Sequence, residues 1–254
     1  MRKERRQAAV DVASILAAFI AAWYLATSVF KVLDPVLFPS PAEVAKLFFT
    51  ELPEMTKGLV SSLYLMGSAY LLALATAIPA GVAVGASPRL RNAVEPFSKV
   101  LGAIPPIVYI PYAIALLPSF SAASIFVIWS GAFWPVFVNT VSGVVTIPGN
   151  LLDSAKMLHL KRSTLYWKVI LPGAMPSILT GASLGLIFSF LLLTAAELIG
   201  ATEGLGWYVK NYSDFADYGR VVVGIIYIGV VITALSALFK LVERRLLRYR
   251  ETNE

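Results

Sequence analysis

An all-α integral membrane protein is the fold class this chain predicts, and three observations carry that prediction. Hydrophobic residues make up 58% of the sequence and charged residues 14%, with a mean hydropathy of +0.76, far from the balance of a soluble domain. Charge-free runs cover 12–30, 58–88, 100–152, 169–196 and 221–239, each about the 20 residues or more that a helix needs to cross hydrocarbon. The 21 Lys and Arg residues cluster in alternate connections between those runs. The run 100–152 is too long for one crossing, and Pro118-Ser119-Phe120-Ser121 is a turn signal inside it. Splitting there gives six helices near 10–30, 58–87, 99–117, 122–146, 173–199 and 219–243, in a single transmembrane domain spanning 1–254.

Charge sets the orientation. With the N-terminus inside, 16 basic residues fall on the cytosolic side and five (Lys31, Lys46, Lys57, Lys210 and Arg220) on the other, a strong positive-inside bias. A multi-pass protein of the cell membrane with both termini cytosolic is expected. The net charge of +6 is spread over loops, which excludes a nucleic-acid partner in favour of membrane lipid. With no cysteine there is no disulfide or thiol chemistry. The basic start, Met1 to Arg6, followed by an apolar run superficially matches a signal peptide. That run is long enough to span, and its small residues Ala22 and Ala26 lie within it, so a retained first helix is expected.

The outer connections carry their own signals. Ser40-Pro41-Ala42-Glu43 is a capping box, and Val44, Leu47 and Phe48 follow at helical spacing, which predicts a short amphipathic helix on the outer membrane surface. The loop 200–218 holds Trp207, Tyr208, Tyr212 and Tyr218, most simply an interfacial aromatic belt. Gly81-x-x-x-Gly85 and Gly181-x-x-x-Gly185 have the spacing of close helix contacts. No pair of interrupted helices repeats in inverted order, as many secondary carriers require.

Catalysis finds little support. Gly-x-x-x-x-Gly-Lys-Ser/Thr is missing, so the chain does not cradle a nucleotide phosphate, and a single histidine with no cysteine offers no metal cluster. Ser130 beside Gly131 is the one nucleophile-like spot, but Ser130 belongs to the fourth helix and His159 to a basic connection, too far apart for a base to act. No enzyme activity and no cofactor are expected.

That basic connection, 150–171, interrupts two apolar blocks and reads as a cytosolic helical elbow. Asn150 suits an N-cap, Asp153 the first turn, and Leu151, Ala155 and Leu158 recur at helical spacing, with Met157 and Leu160 widening the apolar surface. Two readings fit these residues. An amphipathic helix on the anionic inner leaflet would use Lys156, Lys161 and Arg162; a helix seated in a partner's groove would use small Ser154 and Ala155 for close approach.

The elbow resembles the EAA loop of ABC-importer permeases: the acid is Asp153, the small pair Ser154 and Ala155, the turn position His159, and the closing residues Val169, Leu171 and Pro172. Leu37-Phe38-Pro39-Ser40-Pro41, Gly102-Ala103-Ile104-Pro105-Pro106, the stretch from Val169 to Gly181 and Ala195-Ala196-Glu197-Leu198-Ile199 extend the likeness to the permeases that serve sulfonates, taurine, nitrate, bicarbonate and some pyrimidine precursors. The resemblance implies a type I importer fold, two copies forming a pore, two copies of an ABC ATPase subunit that binds the ATP, and an extracytoplasmic substrate-binding protein. It also implies a small anionic solute moved by alternating access, and a coupling helix comprising Asp153, Ser154, Ala155, Met157, Leu158, His159 and Leu160. Two departures stand out. His159 replaces the family's turn glycine and is read as a solvated turn residue rather than a pH sensor, and the connector 116–122 lacks the usual glycines and acid.

Polar residues inside spans mark pathway candidates, because lipid penalises them. They are Glu197, Ser189 and Thr194 in the fifth helix and Trp134 and Asn139 in the fourth, beside Trp129, Ser130 and Thr140. Glu197 also supports an alternative of a different class, a proton-coupled carrier that needs neither elbow nor ATPase.

Overall fold

The computed structural model describes residues 2–251; the side chains at 2–6, 8, 9, 156 and 248–251 lie outside the described residues, among them the basic groups Arg2, Lys3, Arg5, Arg6, Lys156, Arg248 and Arg250. Regular structure among the described residues is helical throughout. Five helices are long and apolar enough to cross a membrane, six if two joined through a bend of 69° count as one span.

Helix α1, Arg2–Tyr24, runs on as a wider π turn, Leu25–Val29. The Trp23 indole N–H donates to the Pro39 carbonyl at 3.1 Å and ties the end of α1 to the chain ahead of α2. Otherwise α1 stands apart, with no residue of its apolar window buried.

Helix α2, Pro41–Gly85, begins as the capping box dictates: Ser40 Oγ accepts the Glu43 N–H at 3.3 Å and Pro41 takes the first helical position. The expectation of a separate surface helix is corrected here. The helix continues for 45 residues through Pro53 without a break, roughly 68 Å at the α-helical rise and more than twice the thickness of hydrocarbon. The charged stretch Glu51 to Lys57, which reads as a connection, stays helical because its acids find partners on later elements: Arg220 Nε donates to Glu51 at 2.9 Å, and the Tyr212 hydroxyl to Glu54 at 3.3 Å.

The third crossing is not the straight helix expected at 99–117. It consists of α3, Pro88–Leu101, capped by Ser87; a 3₁₀ turn, Pro106–Tyr109; and α4, Ile110–Leu116. Adjacent Pro105 and Pro106 have no N–H to continue the ladder, which explains the break. Helix α5, Phe120–Val145, starts where the turn signal predicts, with Ser119 Oγ accepting the Ala122 N–H at 3.2 Å. The elbow follows as α6, Gly149–Met157, and α7, Arg162–Leu165; a π turn, Tyr166–Ile170, then leads without interruption into α8, Leu171–Gly200. The wide turn sits immediately before Pro172, another residue with no N–H to give. Helices α9, Leu205–Asp214, and α10, Tyr218–Glu251, complete the chain.

Helix α5 is the centre of the bundle, and both glycine spacings mark where its neighbours reach it. A Cβ on Gly81 would lie 2.7 Å from Thr140 Cβ, and one on Gly85 2.7 Å from Val144 Cβ, so α2 meets α5 at backbone distance. On the other side Gly181 faces Asn139, and Gly143 of α5 faces Ser177 of α8, with clearances of 2.7 and 2.6 Å. These registers make α2 parallel and α8 antiparallel to α5. The α2–α3 turn and the elbow therefore share one end of the bundle, here termed the elbow end, and α9, whose start meets Gly58 of α2, occupies the other.

Candidate coupling elbow and pathway residues

At the elbow end, Leu152 and Leu165 pack against a small core formed by Val82 of α2, Val144 and Ile147 at the end of α5, and Ile170. Helix α6 starts at Gly149, one residue before the expected cap. Asn150 thus lies inside the first turn, where its carbonyl accepts the Ser154 hydroxyl at 2.8 Å, and Asp153 stands just beyond that turn. The inward face also differs from expectation. Ala155, at 5% exposure, is buried within the chain, whereas Leu151, Met157 and Leu158 are 50%, 82% and 72% exposed. Ala155 is therefore not the point of approach to another protein; it seats α6 on the rest of the elbow. Leu160 is half-buried and Asp153 and Ser154 are exposed.

His159 ends α6 with φ of +48°, the left-handed backbone that its place at the turn position predicts and that glycine adopts at no steric cost. Its Nδ1 lies 3.0 Å from the Met157 carbonyl, and the Leu160 N–H reaches back to the Ala155 carbonyl at 3.3 Å. The turn sends α7 back toward the bundle, leaving Met157 and Leu158 at the apex.

Toward the other end, Glu197 is 1% exposed. Its Oε1 accepts the Ser62 hydroxyl at 2.6 Å and its Oε2 accepts the Gly206 N–H at 2.6 Å, while Ser62 Oγ in turn accepts the Leu205 N–H at 2.9 Å. One carboxylate thereby fastens α8, α2 and the entry to α9. The approach is so close that a Cβ on Gly204, itself at φ of +115°, would lie 2.4 Å from Glu197 Oε1. Glu197 is thus enclosed within the protomer as a clamp between α8, α2 and α9. A second cluster closes α9 against α2 and α10: Arg220 bonds Glu51 at 2.9 Å and also pairs with Asp217, and it lies over the Tyr212 ring at 5.0 Å. The Tyr208 hydroxyl donates to Glu51 at 3.4 Å. Burial, and then the neighbouring Glu51 charge, push the Tyr208 phenol far above its usual range, which keeps it a donor. The ring is a buried anchor of this cluster, with 2% exposure, and does not belong to an exposed belt.

The remaining pathway candidates divide. Ser189 is fully buried and gives its hydroxyl to the Gly185 carbonyl; Thr194 and Asn139 are half-buried and bond Phe190 and Pro135 of their own helices. Asn139 also forms the wall that Gly181 meets. Trp134 lines a cavity, with Tyr109, Trp129, Ser130 and Phe133. Sequence reasoning missed Ser62, Gly206, Arg220 and Tyr109. A signal for the clamp was available in the Gly-x-Gly that follows an acid in an apolar run.

Residues 73–248 match the family described as "Binding-protein-dependent transport system inner membrane component". The chain belongs to that family. As such a component it has curated relatives over most of its length. It is 30% identical to the taurine transport system permease protein TauC of Escherichia coli K12, over 95% of this chain and 90% of that one. It is 31% identical to the putative aliphatic sulfonates transport permease protein SsuC of Bacillus subtilis, over 94% and 87%. It is 32% identical to the nitrate import permease protein NrtB of Leptolyngbya laminosa, over 74% and 67%. Among solved structures, an inward-facing MetNI methionine ABC transporter superposes with a TM-score of 0.64 at 18% identity, over 79% of this chain and 97% of that one, a likeness of fold. This component is therefore an ABC importer permease of the type I fold, and its family disfavours the proton-carrier alternative.

Proposed function

We propose that two copies of this chain form the translocation pathway of an ATP-driven importer for a small sulfonate or oxyanion, with the elbow end in the cytosol. The observation that carries the proposal is the elbow: Met157 and Leu158 stand at the apex of a turn whose own base is packed onto α2, α5 and α8. Exposed apolar side chains on a preformed support suit a protein groove, which recovers their burial. Each elbow inserts into one of two ATPase subunits; ATP closes the pair, the elbows approach one another, and the pathway opens outward to receive solute from a binding protein. Basic residues at Arg89, Arg91, Lys161 and Arg162 favour this orientation, and the names of the taurine, sulfonate and nitrate relatives favour the solute class.

Co-expression with an ABC ATPase subunit of the same organism tests the reading. The two should purify as one complex, and uptake should stop when the ATPase cannot hydrolyse ATP. Uptake into ATP-free vesicles under a pH gradient would overturn it.

A further inference from the structure

Most polar side chains inside the spans turn back on their own helix: Thr140, Asn139, Ser189 and Thr194 each donate to a carbonyl four residues earlier, which satisfies them cheaply in hydrocarbon. Away from the α9 end, three pairs among the described residues instead bridge different elements: the Tyr70 hydroxyl with the Ala182 carbonyl at 2.9 Å, Tyr109 with Ser130, and Trp129 Nε1 with Thr76 Oγ1 at 3.0 Å. Tyr109, Ser130 and Trp129 line one cavity of about 240 Å³ between the broken crossing and α5, while Thr76 lies outside its lining. Thr76 is exposed and Tyr109 and Trp129 are half-buried, so these groups stand on the protomer's surface near mid-span. Turned to lipid, two hydroxyls and an indole N–H would be costly; the face is suited to lining a path.

We infer that this cavity is a solute-contact site and that it takes a small sulfonate or oxyanion, held by the Trp129 N–H and by the hydroxyl of Tyr109, which Ser130 positions. The inference rests on the importer reading and adds the residues that touch the solute. No Lys or Arg lines the cavity. Neutral donors with the positive edges of Phe133 and Trp134 hold an anion without trapping it, as passage through a membrane requires. The hydrogen bonds allow the exchange. Ser130 gives its proton to the Val127 carbonyl at 2.8 Å, so in the Tyr109 pair the phenol donates. Tyr109 can turn that O–H onto an anion while Ser130 remains bonded to Val127. Trp129 can likewise pass its N–H from Thr76, which keeps its own bond to the Leu72 carbonyl at 2.8 Å. The break at Pro105-Pro106 is what carries Tyr109 out of the span's axis to this position.

The test uses the complete importer, with its ATPase and binding protein, and measures uptake of labelled taurine, ethanesulfonate, nitrate and bicarbonate. Wild type is expected to move at least one. Tyr109→Phe and Ser130→Ala should lower that uptake at least tenfold with the ATPase still bound, and the exposed Tyr64→Phe should leave it unchanged. Trp134→Leu, which enlarges the cavity, should shift preference at least fivefold toward ethanesulfonate over nitrate, a directional change that misfolding does not produce. Where Tyr109→Phe fails to insert, Ser130→Ala and Trp134→Leu decide. If wild type moves a probe and these variants match it in rate and preference, the site assignment falls alone. If wild type moves none of the four, the solute class of the importer falls and this assignment with it.

Discussion

Ser62 and Glu197 stand 135 residues apart in sequence and meet at 2.6 Å, fully enclosed between α2 and α8. Because Ser62 also receives the Leu205 N–H and Glu197 the Gly206 N–H, the pair acts as a common anchor for three helices. Glu197→Ala leaves the Ser62 hydroxyl and the Gly206 N–H unpaired in a dry interior, a loss of about 2–4 kcal/mol. The expected result is a lower detergent melting temperature and new protease cleavage near 201–204. Gly204→Ala should be worse, since a side chain there has neither room nor an accessible backbone conformation.

His159 sets up the opposite experiment. A non-glycine residue at φ of +48° carries roughly 1 kcal/mol of backbone strain, so His159→Gly should protect the amides of α6 from hydrogen exchange and His159→Val should expose them.

The elbow's two faces separate folding from association. Leu158→Asp changes an exposed position and should leave thermal stability unaltered while reducing recovery of the ATPase on affinity purification. Ala155→Glu forces a charge into the elbow's own packing, at several kcal/mol, and should lower stability of the isolated permease before any partner is added. Equal stability of the two variants would contradict the packing described.

Within α2, two glycines make an internal control. Gly67→Ala meets nothing within 4 Å, whereas Gly81→Ala drives a methyl to 2.7 Å from Thr140. The second should cost about 1–3 kcal/mol and the first should be neutral, measured as melting temperatures in the same detergent.

The proposed orientation predicts that an impermeant amine reagent applied to sealed cells labels Lys46 and leaves Lys161 untouched. Labelling of Lys161 from outside would reverse it.

What the sequence made legible was local. The Ser40 cap, the start of α5 at Ser119, the glycine contacts and the left-handed turn at His159 each follow from a few neighbouring residues and the stereochemistry they permit. What it concealed depends on partners far along the chain. Glu51 and Glu54 look like a loop until Arg220 and Tyr212 are placed beside them, and the clamp at Glu197 shows only once Ser62 and Gly206 stand beside it. Ala155 marks an intermediate case: helical periodicity grouped it with Leu151 and Leu158, but Leu152 was the better guide to the buried face. The break in the third crossing was written in Pro105-Pro106 and overridden by the length of the apolar run.

Helix α5 carries its two roles on opposite sides. Gly131, Ala132, Val136, Asn139 and Gly143 pack toward α8 with almost no clearance, and Trp129, Ser130, Phe133 and Trp134 look the other way into the cavity. On the role proposed for the cavity, substitutions there leave the glycine-tight contacts with α8 undisturbed, so cargo preference can change by single steps without loosening the scaffold. Such a division lets one architecture diversify among solutes without passing through an unfolded ancestor.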